Sequence, residues 1–408
     1  MNRNINHLED YEEYIGSEAI ERIYKKAKPL HDRHIVCVSS TFYGGGVAQL
    51  LSGLVLLFND IGIKTGWRII QGSPDFFSIT KKMHNALQGA DINLSKTKKE
   101  IYEQVIAENA IRNHLTHDVV IIHDPQPLPM INHYRKRGPW IWRCHIDLTS
   151  PNKELWNYLK GFIEKYDTAI FTLKDYKQKL NIPQVFFKPA IDPFSTTNRE
   201  MTEEEINRRL AHYNIPVDLP IITQISRFDK WKDPEGVIKA FKKARKEIKA
   251  TLVLLGNVAT DDPEGEEVYH SILKHREERI IILSKQDTSL VNALQRKAKV
   301  VLQKSKREGF GLTVTEAMWK RTPVIGGNVG GIRYQIKDGI NGYLVSSIDE
   351  AAQRIVHLLK NRKLKESMGR KARESVMKNF LLPTYLENYL DLISSFEIKF
   401  RLKSSRYH

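Results

Sequence analysis

Lys306-Arg307-Glu308-Gly309-Phe310-Gly311-Leu312-Thr313-Val314-Thr315-Glu316-Ala317 follows a strand-like run, 300–304, and leads into a stretch of helical length, 312–320. Strand, glycine loop and helix in that order form the repeating unit of a doubly wound α/β fold. Gly309 and Gly311 let the backbone approach a ligand closely. Glu308 ends the loop, and Glu316 sits one to two turns into the helix that follows. A helix start offers unpaired N–H groups and the positive end of a dipole, which attract phosphate or an anionic leaving group. A carboxylate on each side can hold sugar hydroxyls, so the stretch suits sugar transfer from a nucleotide diphosphate. The same residues also fit a glycine loop before an amphipathic helix with two solvated glutamates.

The surrounding chain repeats the unit. Strand-like runs at 221–227, 250–256, 279–284, 300–304, 323–326 and 342–345 alternate with helical stretches at 234–246, 266–277, 290–298, 312–320 and 332–337. An earlier series has strands at 34–40, 66–72, 117–124, 140–146, 168–173 and 184–190, with helices at 47–62, 76–87, 98–114 and 154–165. The apolar runs are continuous, as expected for parallel strands covered on both faces. Between the series, 192–220 is polar and carries Pro193, Pro216 and Pro220. Within it, Thr202-Glu203-Glu204-Glu205 has the form of a capping box opening a helix over 202–213. Ser347-Ile348-Asp349-Glu350 reads as a second capping box, ahead of 351–359. Phe380-Leu381-Leu382-Pro383 marks a boundary before a last helix. The domain junction is expected near 190–195.

At 408 residues, two domains are the natural expectation. The composition, 41% hydrophobic and 27% charged, is that of a soluble globular protein. No apolar run approaches the ~20 residues needed to span a bilayer. The N-terminal stretch 1–28 is charged and helix-like, without a signal-peptide core, so a cytoplasmic location is expected. Cys37 and Cys144 lie in separate strand-like segments and give neither a disulfide framework nor a metal spacing. The net charge of +16 is spread over helices and interleaved with Glu. It argues for a solvated basic surface that favours anionic substrates, with no nucleic-acid partner.

Four more motifs fall just after strands, where ligands of such sheets bind. Thr41-Phe42-Tyr43-Gly44-Gly45-Gly46 follows the first strand and matches neither dinucleotide nor Walker patterns. Its three glycines exceed what a tight turn needs. His123-Asp124-Pro125-Gln126-Pro127 follows another strand. In Trp142-Arg143-Cys144-His145-Ile146-Asp147, His145 and Asp147 suit sugar hydroxyls and Arg143 suits an anion; a structural histidine is the plainer alternative. In Ser226-Arg227-Phe228-Asp229-Lys230-Trp231-Lys232, Arg227 and Lys232 suit a diphosphate, one as a fork and the other as a compact charge. Gly326-Gly327-Asn328-Val329-Gly330-Gly331 is a further glycine-rich turn.

Taken together, these residues resemble the retaining GT-B glycosyltransferases of the glycogen- and sucrose-synthase-like group. The spaced glutamates are Glu308 and Glu316, the basic pair is Arg227 and Lys232, and the glycine loop is Gly44, Gly45 and Gly46. HDPQP at 123–127, WRCHIDLTSPN at 142–152, SRFDKWK at 226–232, DDPEG at 261–265 and REGFGLTVTEAMWK at 307–320 are similar to the trehalose glycosyltransferring synthases. The resemblance implies an α/β GT-B fold, two doubly wound Rossmann-like domains facing across a cleft. It implies an acceptor-side domain over 1–192 with a helical arm, a nucleotide-sugar domain over 193–380, and a helix over 381–408 packing back on the first domain.

For activity, the resemblance implies retaining transfer of glucose from a nucleotide-diphosphate glucose, such as UDP-glucose or ADP-glucose, to free glucose. The product is α,α-trehalose and the reaction is reversible. Glu308 would face the donor sugar, within the amides of Gly309, Phe310, Gly311 and Leu312. Glu316 would hold the ribose, and Arg227 with Lys232 the departing diphosphate. His145 would contact the transferred glucose, Gly44–Gly46 would cap the phosphates, and Asp124, Arg143 and Asp147 would line the sugar side. No rim carboxylate is clearly placed as a nucleophile, so front-face attack is expected, with no cofactor and no metal required. A homodimer is expected by the same resemblance. Retaining trehalose phosphorylase, a related transferase with another sugar acceptor, and a non-catalytic binder on this fold stay open as alternatives.

Overall fold

The computed structural model describes residues 7–42, 45–256 and 263–404. The chain divides into two compact units: one runs to Ala190 and resumes at Leu381, and the other is Ile191–Phe380. No helix among the described residues is long and apolar enough to cross a membrane.

The first unit is built on six parallel strands: β1 (Ile35–Ser39), β2 (Thr65–Ile69), β3 (Val119–His123), β4 (Trp140–Arg143), β5 (Thr168–Phe171) and β6 (Gln184–Phe186). Their order is β2-β1-β3-β4-β5-β6. All of β1, β3, β4 and β5 is buried, which explains their unbroken apolar runs. The sequence extends the fourth strand to 146, but β4 stops at Arg143. There the Asp124 carboxylate takes the His145 N–H at 2.7 Å, which draws the chain away from the ladder. The last helix, Leu382–Ser404, packs on helices Ser17–Ala27 and Gly45–Asp60 of the same unit. Tyr389 meets Phe58 and Phe187 edge-on, and Glu387 pairs with Arg22 at 2.6 Å.

The second unit holds β7 (Ile221–Ile225), β8 (Thr251–Gly256), β9 (Ile280–Ser284), β10 (Val300–Gln303), β11 (Val324–Gly327) and β12 (Tyr343–Val345). The order is β12-β11-β10-β7-β8-β9, again parallel. Counted from its first strand, this is the dinucleotide-fold order, whose direction reverses between β7 and β10. In the first unit the reversal lies between β1 and β3. The loops after these four strands therefore flank the two crevices where such sheets bind ligands.

Helix Glu203–His212 opens with the expected reciprocal box between Thr202 and Glu205. The second expected box is only half made. Ser347 caps the Glu350 N–H, but the Glu350 carboxylate accepts from Ser346 instead of Ser347. That helix is Ile348–Lys360. Where the chain enters and leaves the second unit, the Ile191 N–H donates to the Phe380 carbonyl at 2.8 Å.

Candidate active site

In the second unit the two loops at the switch point are tied together. Lys232 follows β7 and Glu308 follows β10; the Lys232 Nζ donates to Glu308 Oε2 at 2.5 Å, and Ser305 Oγ reaches the same oxygen at 3.3 Å. Both side chains are mostly buried, which strengthens the pair relative to a surface contact. The Lys306 N–H donates to the Trp231 carbonyl at 2.7 Å. Asp233 binds Lys304 at 2.5 Å and Lys306 at 3.1 Å. Asp233 has φ of 52°, and the Gln224 amide secures the Lys232 carbonyl at 2.7 Å. Arg227, about half exposed, lies 3.2 Å from Asp229, which caps the short turn Lys230–Lys232.

The loop carrying Gly309 and Phe310 ends at Gly311, whose φ of 85° only glycine adopts freely, and helix Leu312–Trp319 begins there. Gly331 packs directly on this loop: a Cβ on it would lie 2.3 Å from Phe310 Cα. Its N–H donates to the Glu308 carbonyl at 3.1 Å. Phe310 meets Phe380 with ring centroids 5.6 Å apart.

Glu316 is buried on helix Leu312–Trp319, one turn before Lys320. Lys320 Nζ donates to Asn198 Oδ1 and Gln295 Oε1, both at 2.8 Å, and to the Glu316 carbonyl at 3.2 Å. Burial pulls the Lys320 ammonium down to about 7, with Glu316 opposing the shift.

In the first unit, His123, Asp124 and His145 gather at the ends of β3 and β4. The two imidazoles stack with centroids 5.4 Å apart, and His123 Nδ1 lies 3.0 Å from His145 Nε2. Burial, with Arg143 beside it, lowers His123 to about 3 and His145 well below the ordinary range, so both rings are neutral near pH 7. Asp124 has φ of 64°, and burial raises its carboxyl to about 6 against the pull of the His145 N–H and Arg143.

Arg143 does not line a surface, contrary to the sequence reading. It is fully buried; its Nη2 donates to the Phe187 carbonyl at 2.9 Å and to Thr172 Oγ1 at 3.3 Å, and Tyr385 covers it. Its Nε and Nη1 are buried without a hydrogen-bond partner among the described residues. Asp147 is also buried, and its Oδ1 accepts both the N–H and the hydroxyl of Thr149, closing a turn. Gly45 and Gly46 open helix Gly45–Asp60; Gly45 has φ of 76° with open space around it, so it is needed for conformation. Gly44 lies outside the described residues, as does part of the 261–265 motif.

Lys320, Asp233 and Gln335 were not found from the sequence. Asp233 before Pro234 signals only a helix start. Nothing local marks Gln335 or Lys320. Among the described residues no His, Cys, Asp and Glu cluster has the form of a metal site.

Two doubly wound sheets, one carrying a lysine–glutamate pair and a glycine-led helix start at its switch point, define a glycosyltransferase of the GT-B class. Residues 37–178 match the family model for the trehalose synthase N-terminal domain, and 206–375 that for glycosyl transferases group 1. Trehalose synthase of Thermococcus litoralis is 46% identical over 399 residues, 95% of this chain and 97% of the relative. The chain belongs to the trehalose synthase family. Trehalose phosphorylase of Grifola frondosa is 28% identical over 428 residues, 91% of this chain and 58% of that one. The crystal structure of Anabaena Alr3699/HepE in complex with UDP-glucose has a TM-score of 0.68 at 16% identity, covering 89% of this chain and 100% of that one, and thus shares the fold.

Proposed function

We propose that this glycosyltransferase moves glucose from a nucleotide-diphosphate glucose to free glucose, with retention, giving α,α-trehalose reversibly. The observation that carries the reading is the Lys232–Glu308 pair beside the helix start at Gly311. A diphosphate anion suits that helix start and competes for Lys232, which releases Glu308 to a sugar hydroxyl. Lys232 and Arg227 then stabilise charge on the departing diphosphate. The acceptor hydroxyl attacks C1 from the face the diphosphate leaves; its proton passes to a leaving phosphate oxygen as the C1–O bond to phosphate breaks. Glu316 is assigned the ribose hydroxyls. His145, neutral and held by His123, is assigned a glucose hydroxyl. Two cations supply the positive charge, so transfer is expected to continue in the presence of a chelator.

The test is a product assay by NMR with purified protein, free glucose and a panel of nucleotide-diphosphate glucoses. An α,α-1,1 disaccharide with released nucleotide supports the reading and names the donor. No disaccharide with any donor, but phosphate-dependent cleavage of trehalose, would move the assignment to phosphorylase, the activity named for the Grifola frondosa relative.

A further inference from the structure

Gln335 ends the short helix Ile332–Gln335 and is buried. Its Nε2 donates to the Phe310 carbonyl at 2.6 Å and the Gly311 carbonyl at 3.3 Å, with the Gly331 carbonyl at 3.5 Å. Its Oε1 accepts the Thr315 hydroxyl at 2.6 Å. Chemistry fixes which amide atom is which, because carbonyls only accept and the nitrogen must face them. The backbone of the residue is held as well: the Asn341 side-chain amide donates to the Gln335 main-chain carbonyl at 3.1 Å.

In a trans peptide the C=O and N–H point in opposite directions. Drawing the Phe310 and Gly311 carbonyls toward Gln335 therefore turns the Gly311 and Leu312 N–H groups the other way. Those N–H groups stand at the start of helix Leu312–Trp319, where an anion is best received. Glycine peptides reorient easily, so the loop alone would not hold this arrangement.

We infer that Gln335 is a positioning residue, which presets the Gly311 and Leu312 amides for the diphosphate of the sugar nucleotide without touching it. The inference rests on the nucleotide-sugar reading above. Preset donors need no reorganisation when the anion arrives, and this is where such a residue acts on affinity and rate.

Gln335→Glu tests it at about pH 9, where the ionised variant keeps the shape and the acceptor for Thr315 but has no proton to donate to carbonyls. UDP and ADP, and separately uridine and adenosine, are titrated by calorimetry into wild type and variant. The affinity for the preferred diphosphate is expected to fall about tenfold or more, as loss of buried, preset hydrogen bonds implies. The affinity for the matching nucleoside stays within about twofold, because it makes no phosphate contact. A merely structural role would lower both together, and that result, or an undiminished diphosphate affinity, overturns the inference. Gln335→Met, of similar volume and without a charge, gives the same comparison where the glutamate variant does not fold. A wild type that binds neither UDP nor ADP overturns the nucleotide reading instead. Inorganic phosphate then decides Gln335: weaker phosphate binding in the variants upholds its role, and equal or absent binding removes it.

Discussion

Replacing Gly331 by alanine isolates the closeness of the loop around Phe310. Gly331 has φ of −67° and ψ of −19°, which alanine adopts without strain, so the whole effect comes from space. The new Cβ would stand 2.3 Å from Phe310 Cα and 2.8 Å from the Gly309 and Phe310 carbonyl oxygens, against ordinary contact from 3.4 Å. The obstacle is backbone, and relief needs a shift of about 1 Å in the loop between Glu308 and the helix. Overpacking of this kind costs about 1–3 kcal/mol of stability. A displacement of ~1 Å in a positioned group lowers turnover about 100-fold. Initial rates of glycosyl transfer and thermal melts read the two effects separately. Gly339→Ala is the control: Gly339 has φ of 71° with nothing within 4 Å, so alanine there costs ~1–2 kcal/mol of backbone strain and leaves the rate intact. A Gly331→Ala protein within twofold of wild-type rate, or a Gly339→Ala protein equally impaired, would refute the reasoning.

Four further outcomes are expected. Glu308→Ala abolishes transfer while nucleotide affinity stays within a few-fold, and Glu316→Ala mainly weakens the nucleotide; calorimetry beside rate assays checks both, and wild-type turnover or unchanged affinity respectively contradicts the roles. Lys320 has its ammonium pulled by burial down to about 7, below its unfolded value. The folded state therefore releases that proton first, and wild-type stability relative to Lys320→Met rises from about pH 7 toward pH 10, by at most ~1.4 kcal/mol per pH unit. Urea titrations across that range should show the rise, and a flat difference counts against it; Glu316, Glu200 and Arg296 are the charged neighbours in this balance. Gly161 lies in helix Lys153–Ile163 with open space where a Cβ would go. Gly161→Ala should add about 0.5–1 kcal/mol by chemical denaturation, and a loss would contradict it.

The strands were legible because each is a continuous apolar run between turn residues, and the loops after them because function sits at strand ends. Their order was not legible, since β7 lies beside β10 through pairings about eighty residues apart. Arg143 shows the limit at a single residue. A cation at the end of a strand reads as a ligand, but its surroundings are decided by Tyr385, on a helix some 240 positions later. Gln335 shows the converse: an ordinary polar residue acquires its role from two carbonyls and a hydroxyl brought to it by the fold. Lys232 and Glu308 were each legible as charges beside strands, while their direct pairing emerged only with the two loops in register.

The hydrogen bond between Ile191 and Phe380 makes the second unit an insertion in the topological sense, a segment whose two ends meet. Such a segment can be excised and its host rejoined by a short linker, or permuted so that new termini open elsewhere. The carboxyl-terminal helix then closes a unit that the amino-terminal strands began, so a truncation before Leu381 removes packing from the first sheet's unit and leaves the inserted one whole.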